Sequence, residues 1–128
     1  EVLATDHAPH SAEEKGRGLE KSAMGIVGLE CAFGVLYTHL VEKGVLSLEK
    51  LIDLMSVHPR RLFGFGGDIA VGEKADLTVL DLEESYRIDP ESFLSKGKAT
   101  PFAGMEVRGK AIQTWVDGKA VYDETTKH

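Results

Sequence analysis

The chain has 128 residues and carries a formal net charge of −6, because 21 acidic residues outnumber 15 Lys and Arg. This length suits one modest domain, and the absence of a basic run argues against nucleic acid as a partner. No apolar stretch approaches the roughly 18 residues of a membrane span. The single cysteine excludes an internal disulfide and fits a reducing compartment. We therefore expect a cytoplasmic protein that binds neither membrane nor nucleic acid.

The first ten residues hold the strongest candidate site. An apolar run at residues 2–4 is typical of a buried strand, and Asp6, His7 and His10 follow it. Active sites of parallel α/β proteins lie at the carboxyl ends of strands. Asp6 with a histidine four residues later is therefore a candidate for metal or proton chemistry. If the strand continues, His7 points to the opposite side, and we predict a supporting role for it.

A polar segment at residues 11–22 follows, with two glycines and no clear periodicity. This composition predicts an irregular, mobile loop. Two interpretations stay open at this point: a solvated connection, or a loop that lies over an active site.

Three helices are predicted next. They span residues 28–42, 48–56 and 58–64. Gly44 suits the end of the first helix, Ser47 the cap of the second and Pro59 the first turn of the third. Cys31 is expected to be a small buried residue and not a reactive thiol. His58, directly before a proline, is expected to cap a helix or lie at the surface and not to bind metal.

The composition changes at Gly66 and Gly67, after which β-structure is predicted. Short strands are expected around residues 69–71 and 75–81, with further strand positions near 86–88. Asp76 at a strand start is expected to accept backbone hydrogen bonds and not to act in catalysis.

The remaining residues predict one helical turn, a loop and a hairpin. Asp89 should cap a turn at residues 89–93, and Phe102 should anchor the polar loop at residues 95–104. Asp117-Gly118 separates two strand-like runs and predicts a two-residue hairpin turn, with Trp115 and Tyr122 packing across the strands.

Two motifs carry a family resemblance. Asp6-His7-Ala8-Pro9-His10, followed by MGIVGLE at residues 24–30, resembles the eighth-strand motif of dihydroorotases, in their long type I bacterial branch. Dihydroorotases are metal-dependent cyclic amidohydrolases, and the resemblance resumes at residues 57–81 and 100–122. It implies an α/β fold: residues 1–65 would form the C-terminal part of a (β/α)8 TIM barrel, and 66–128 strands of a small β-sandwich. Because such a barrel needs about 250 residues, we interpret the chain as a C-terminal fragment.

The resemblance implies reversible cyclisation of N-carbamoyl-L-aspartate to L-dihydroorotate, a step of pyrimidine (UMP) biosynthesis. Zinc would be the cofactor, with two ions in each intact active site. Asp6 would be a metal ligand and the general acid/base. His10 would contact the substrate carboxylate, and the backbone of Met24 and Gly25 would donate or accept hydrogen bonds to the substrate. The intact protein would be a homodimer, with aspartate transcarbamoylase as a candidate partner.

Most metal ligands of this family lie outside the chain. It contains no H-x-H pair, and its other histidines, His39, His58 and His128, do not suggest a ligand cluster. Since a catalytic zinc usually takes three protein ligands, we predict that the isolated chain is inactive and binds zinc poorly. Two alternatives stay open. One is a hydantoinase- or allantoinase-like cyclic amidohydrolase, against which His10 argues, and the other is a non-catalytic dihydroorotase-like assembly partner.

Overall fold

A computed structural model describes residues 1–66 and 68–125, in which helices precede a three-stranded antiparallel sheet. The helices are α1 (Ala12–Lys15), α2 (Ala32–Leu36), α3 (Leu48–Ile52) and α4 (His58–Phe63). The strands are β1 (Leu77–Arg87), β2 (Glu106–Val116) and β3 (Lys119–Asp123), in the order β1-β2-β3. None of the helices in these two ranges is long and apolar enough to cross a bilayer. The predictions at Gly67 and His128 fall outside the described residues.

The helix predicted at residues 28–42 is confirmed as one helical segment. A 3₁₀ turn at Leu29–Cys31 leads into α2, and a π-helical turn at Tyr37–Val41 follows. Gly44 ends the segment with a left-handed φ of 69°, and its N–H donates to the Val41 carbonyl at 2.9 Å. A glycine is favoured here because it reaches this backbone region without a Cβ clash.

The second and third predicted helices are joined. The Ser47 hydroxyl accepts the Lys50 N–H at 3.2 Å and begins α3, as predicted. A π-helical turn at Asp53–Val57 then continues into α4 without a break. The prediction that His58 caps a helix is wrong, because the residue before it is already helical. Instead, the His58 ring lies 3.5 Å from the amino group of Glu1.

The prediction of an irregular loop at residues 11–22 missed α1. Ser11 and Glu14 form a capping box, in which the Glu14 N–H donates to Ser11 Oγ at 3.2 Å and the Ser11 N–H donates to Glu14 Oε2 at 2.8 Å. The backbone hydrogen bond from Ser11 is the main reason that the pKa of Glu14 is lowered. The S-x-x-E pattern is a helix-start signal that a search for apolar periodicity passes over.

The strand predicted at residues 2–4 is not formed in the part of the chain that the structure describes. The Leu3 N–H donates to the Leu54 carbonyl at 3.0 Å, and a single parallel bridge joins His7 to Ile26. The Ala8 N–H donates to the Ile26 carbonyl at 2.9 Å beside this bridge. A regular strand needs a row of bridged residue pairs, and this segment has a single bridged pair.

Strand β1 differs from its prediction, because it is one 11-residue strand and not two short ones. The pairing with β2 shifts between Asp81 and Ser85, where Asp81 Oδ1 accepts the N–H groups of Glu83 and Glu84. The strand expected at residues 69–71 is not observed. Asp81 therefore satisfies the backbone donors that the irregular register leaves unpaired.

The predicted hairpin is confirmed. Asp117 and Gly118 form its turn with φ values of 49° and 75°, between β2 and β3. Asp76 accepts a backbone hydrogen bond as expected, but from the distant Asp117 N–H at 2.7 Å. A register shift places Tyr122 opposite Thr114, so Trp115 is not its direct partner.

The core lies where α2 crosses β2. Its buried members are Cys31, Ile88 and Val107, and Val35, Tyr86, Phe93, Phe102 and Met105 pack against them. Gly34 permits the close approach, because a Cβ there would lie 3.1 Å from the Gly109 carbonyl oxygen and from Val107 Cγ2. Phe102 is thus a packing residue, as predicted. The core joins residues on both sides of position 65, and the division into two domains stays a prediction.

Cys31 should react with thiol reagents only when the protein unfolds. Its side chain is 2% exposed, and burial raises the pKa of its thiol, so little thiolate is available. We expect negligible labelling by a soluble disulfide reagent in native buffer and stoichiometric labelling in denaturant. Rapid native labelling, followed by absorbance of the released thiolate, would contradict this packing.

Candidate active site

His7 fixes the end of the Asp6 segment. Its Nδ1 accepts the N–H groups of Gly28 and Leu29, each at 3.3 Å, and its Nε2 lies 3.2 Å from Ser95 Oγ. Because Nδ1 is an acceptor, we assign the ring proton to Nε2, which then donates to the Ser95 hydroxyl. Both ring nitrogens are therefore engaged in holding three segments together, which suits the supporting role predicted for His7.

Asp6 occupies an unusual backbone conformation beside this anchor. Its φ is 47°, in the left-handed region that few residues other than glycine adopt, although aspartate tolerates it better than most. The residue is exposed, and within the described residues its carboxylate has no hydrogen bond or ion pair. An exposed, unpaired carboxylate is suited to binding a metal ion or accepting a proton.

Met24 and Gly25 lie against the same segment. Gly25 has a φ of 126°, and a Cβ there would lie 2.6 Å from Ala8 Cβ and 3.3 Å from His10 Cδ2. Met24 is 89% exposed, and no hydrogen bond within the described ranges engages its N–H, its carbonyl or the Gly25 N–H. The structure thus places Gly25 against the His10 ring and leaves the N–H groups of Met24 and Gly25 and the Met24 carbonyl without described hydrogen bonds.

His10 lines a cavity of about 390 Å³ that is rich in positive charge. The other lining residues are Ala12, Lys15, Gly16, Lys96, Lys98 and Ala99. The His10 side chain is 29% exposed, and its Nδ1 lies 3.8 Å from Glu14 Oε2, an ion pair only when the ring is protonated. Three lysines and a histidine around one cavity favour an anionic ligand. A larger cavity, of about 630 Å³, lies between α4 and β1 and does not include this cluster.

Asp6 is a suitable single metal ligand, but the described part of the chain offers no ligand group around it. Within residues 1–66 and 68–125, no three His, Cys, Asp or Glu side chains are grouped closely enough to hold an ion. Zinc in catalytic sites usually takes three protein ligands and one water. Further ligands for an ion at Asp6 would have to come from beyond the described residues.

Two residues of this region were not predicted to belong to it. Glu30 lies in the helix predicted at residues 28–42, and its carboxylate accepts the N–H groups of Leu94 and Ser95 at 2.7 and 3.1 Å. Lys15 was treated as part of a polar loop, yet its Nζ donates to the carbonyls of Ala23 and Gly25, each at 2.9 Å. The contacts of Glu30 join residues more than 60 positions apart, and those of Lys15 depend on a chain reversal. No local sequence pattern indicates either set of contacts.

Glu30 should make stability depend on acid pH. Burial alone raises its pKa, but the hydrogen bonds from Leu94 and Ser95 outweigh this, and the pKa is lowered from its ordinary value of 4.5. The stabilisation that the ionised Glu30 carboxylate provides is therefore complete above pH 4.5, and it is lost as pH falls through the lower pKa of the folded state. We expect Glu30→Gln to lower the thermal midpoint near neutral pH. The difference in thermal midpoint between this variant and the unmodified protein should become smaller below pH 4.5. An equal difference at all pH values would contradict this role.

Comparisons with known proteins agree on a superfamily and differ on the activity. The model of the family described as "Amidohydrolase family" matches residues 2–121. Dihydroorotases from Geobacillus sp. (strain WCH70) and Bacillus caldolyticus are 51% and 50% identical to the chain over 125 residues, which is 97% of the chain. The chain spans 29% of each of these relatives.

Solved structures resemble the same residues. An L-hydantoinase (dihydropyrimidinase) from Arthrobacter aurescens superposes with a TM-score of 0.87 at 37% identity, over 96% of this chain and 29% of that chain. A dihydropyrimidinase from Brevibacillus agri NCHU1002 gives 0.86 at 29% identity, over 96% of this chain and 28% of that chain. These neighbours confirm the predicted fold class, a partial α/β structure of the TIM-barrel superfamily.

Proposed function

The chain belongs to the amidohydrolase family, and on this premise we propose that it is the C-terminal part of a dihydroorotase. The longer protein is called the parent protein below. The observation that carries the proposal is the unpaired carboxylate of Asp6, four residues before His10, whose cavity is also lined by three lysines. The reaction would interconvert N-carbamoyl-L-aspartate and L-dihydroorotate in cytoplasmic pyrimidine synthesis. The barrel and β-sandwich assignments of residues 1–65 and 66–128 are part of the same proposal.

Asp6 would carry the proton transfer. Asp6 would be one ligand of a zinc ion, which when bound would lower the pKa of a water to about 7. In hydrolysis, a water oxygen would bond to the ring carbonyl carbon and the adjacent C–N bond would break. Asp6 accepts the proton of the attacking water and passes it to the departing ring nitrogen. Cyclisation follows the same steps in reverse, with loss of water.

His10 would recognise the substrate by its charge. Its imidazole can donate to the ring carboxylate of dihydroorotate, and the bond is stronger when the ring is protonated. The lysines of the same cavity add a positive field for an anion. Gly25 lies against His10, and its free N–H, with the free backbone groups of the adjacent Met24, would suit the polar edge of a cyclic amide.

A hydantoinase-like activity is the second candidate, because the structural neighbours above are hydantoinases and dihydropyrimidinases. Hydantoin and dihydrouracil rings carry no carboxylate, so the cationic cavity would offer them little. The identity to dihydroorotases, near 50%, also exceeds the 37% shared with the L-hydantoinase. A non-catalytic assembly partner is a third candidate, which the free carboxylate of Asp6 disfavours. A homodimer and a transcarbamoylase partner are untested parts of the proposal.

Removal of metal tests the proposed chemistry. We expect the purified parent protein to hydrolyse L-dihydroorotate, to lose this activity on dialysis against a chelator, and to regain it when zinc is restored. The physical reason is that neutral water is a weak nucleophile without a metal ion. Full activity after verified metal removal, measured by dihydroorotate absorbance, would contradict the zinc-dependent mechanism.

Replacement of His10 should weaken substrate binding selectively. We expect His10→Ala in the parent protein to raise KM for dihydroorotate by about 10- to 100-fold, the range for losing a hydrogen bond to a charged group. Hydrolysis of neutral hydantoin should change little. His39→Ala is the control, because His39 is an exposed histidine that contacts Met105 Sδ and does not line the cavity. Equal effects on charged and neutral substrates would contradict carboxylate recognition by His10.

A further inference from the structure

The side chain of Lys15 bridges two backbone carbonyls on either side of Met24. Its Nζ donates to Ala23 and Gly25, each at 2.9 Å, and the residue is partly buried. Hydrogen bonds from a charged donor are about twice as strong as neutral ones. The ammonium group thus holds the carbonyls that flank Met24 towards one point and restricts the peptide groups between them.

Lys15 is itself held firmly by α1. The capping box of Ser11 and Glu14 begins this helix, and Ser22 Oγ donates to the Lys15 carbonyl at 2.7 Å. The Ala23 N–H donates to the Glu14 carbonyl at 3.0 Å. Residues 11–25 therefore form a closed loop that is joined at its base by backbone and side-chain contacts, with Lys15 at the junction.

The restrained peptide lies at the candidate substrate site. Gly25 packs against Ala8 and the His10 ring, and Met24 retains its N–H and carbonyl free of hydrogen bonds in the described chain. A change in the Ala23–Gly25 backbone would therefore move the free donors and acceptors relative to His10. Holding such groups in place before the ligand arrives lowers the entropy cost of binding.

We propose that Lys15 is a positioning residue for the substrate, which fixes the Met24–Gly25 backbone beside His10. This inference deepens the proposed function and rests on it for the identity of the substrate. Lys15 acts on the substrate through the backbone of Met24 and Gly25. Lys15 is also one of the residues that line the cavity of His10. Because the Lys15 ammonium group restrains the backbone of residues 23–25, the affinity for an anionic cyclic amide depends on this restraint.

The experiment compares Lys15→Met, Lys15→Arg and Lys21→Met in the parent protein. Methionine retains much of the apolar stem without the donor, arginine retains charge and donors, and Lys21 is an exposed lysine of the same loop whose side chain makes no described contact. In Lys15→Met we expect faster hydrogen exchange of the Ser22 and Ala23 amides, which donate to the Gly18 and Glu14 carbonyls. We also expect KM for dihydroorotate to rise by about 10- to 100-fold with kcat nearly unchanged. Arginine should restore part of both properties, and Lys21→Met should resemble the unmodified protein.

The two readouts separate this inference from the proposed function. An unmodified parent protein that does not hydrolyse dihydroorotate would overturn the proposed function, while hydrogen exchange would still decide whether Lys15 orders the backbone at Ser22 and Ala23. Unchanged exchange in Lys15→Met would overturn the inference whatever the substrate is. In an active enzyme, increased exchange with unchanged KM would also overturn it. A fall in kcat alone would assign Lys15 to another role and contradict the proposal.

Discussion

Asp6→Asn is expected to lower kcat for dihydroorotate in the parent protein by about 10³-fold or more. Asparagine has nearly the same shape, but it cannot accept the water proton and return it to the ring nitrogen. It is also a weaker metal ligand, because its oxygen is neutral. The left-handed φ of 47° should be retained, since asparagine tolerates this region as aspartate does. Steady-state kinetics, with metal content measured on the same samples, checks this result.

The control for this substitution is Asp68→Asn. Asp68 is also exposed, and its only described partner is Arg61, at 3.4 Å. We expect normal turnover in this variant and normal thermal midpoints in both. An Asp6→Asn protein that retains more than a tenth of the kcat, with full metal content, would exclude Asp6 as the proton carrier.

Leu51→Ala is expected to destabilise the protein by about 2–5 kcal/mol, the usual cost of removing a large buried aliphatic side chain. Leu51 is 0% exposed and lies in α3, whose continuation contacts the segment before Asp6 through the Leu3–Leu54 hydrogen bond. The substitution leaves a cavity that the surrounding helices cannot fully close. Urea unfolding of the parent protein, followed by circular dichroism, measures the loss.

Leu62→Ala is the matched control, because Leu62 lies in α4 and is 62% exposed. Its replacement should change the free energy of unfolding by about 0.5 kcal/mol or less, as at other surface positions. If both substitutions cost the same, the packing of α3 described above would be wrong.

Elements with a strong local signal could be predicted from the sequence. The helix around α2 followed from apolar spacing, and the ends at Gly44 and Ser47 followed from capping chemistry. The hairpin followed from Asp117-Gly118, because both positions need positive φ. Elements decided by distant partners could not be predicted. The single strand β1 depends on its pairing with β2, and residues 2–4 remain irregular where parallel partners are lacking.

Some residues of the candidate site could be predicted from the sequence, and others could not. Asp6, His10, Met24 and Gly25 were found through a motif, and the structure places Gly25 against the His10 ring. Their catalytic and binding roles remain proposals. The carbonyl contacts of Lys15 could not be predicted, because they depend on how residues 11–25 fold back on themselves.

Under the proposed function, this chain completes the active site of an enzyme for an anionic cyclic amide. The most direct test is the ratio of kcat/KM for L-dihydroorotate to kcat/KM for hydantoin in the purified parent protein. We predict a ratio of about 10² or more, because a site built to bind a carboxylate discriminates strongly against a ring that lacks one. A ratio of one or below would contradict the claim and would favour a hydantoinase.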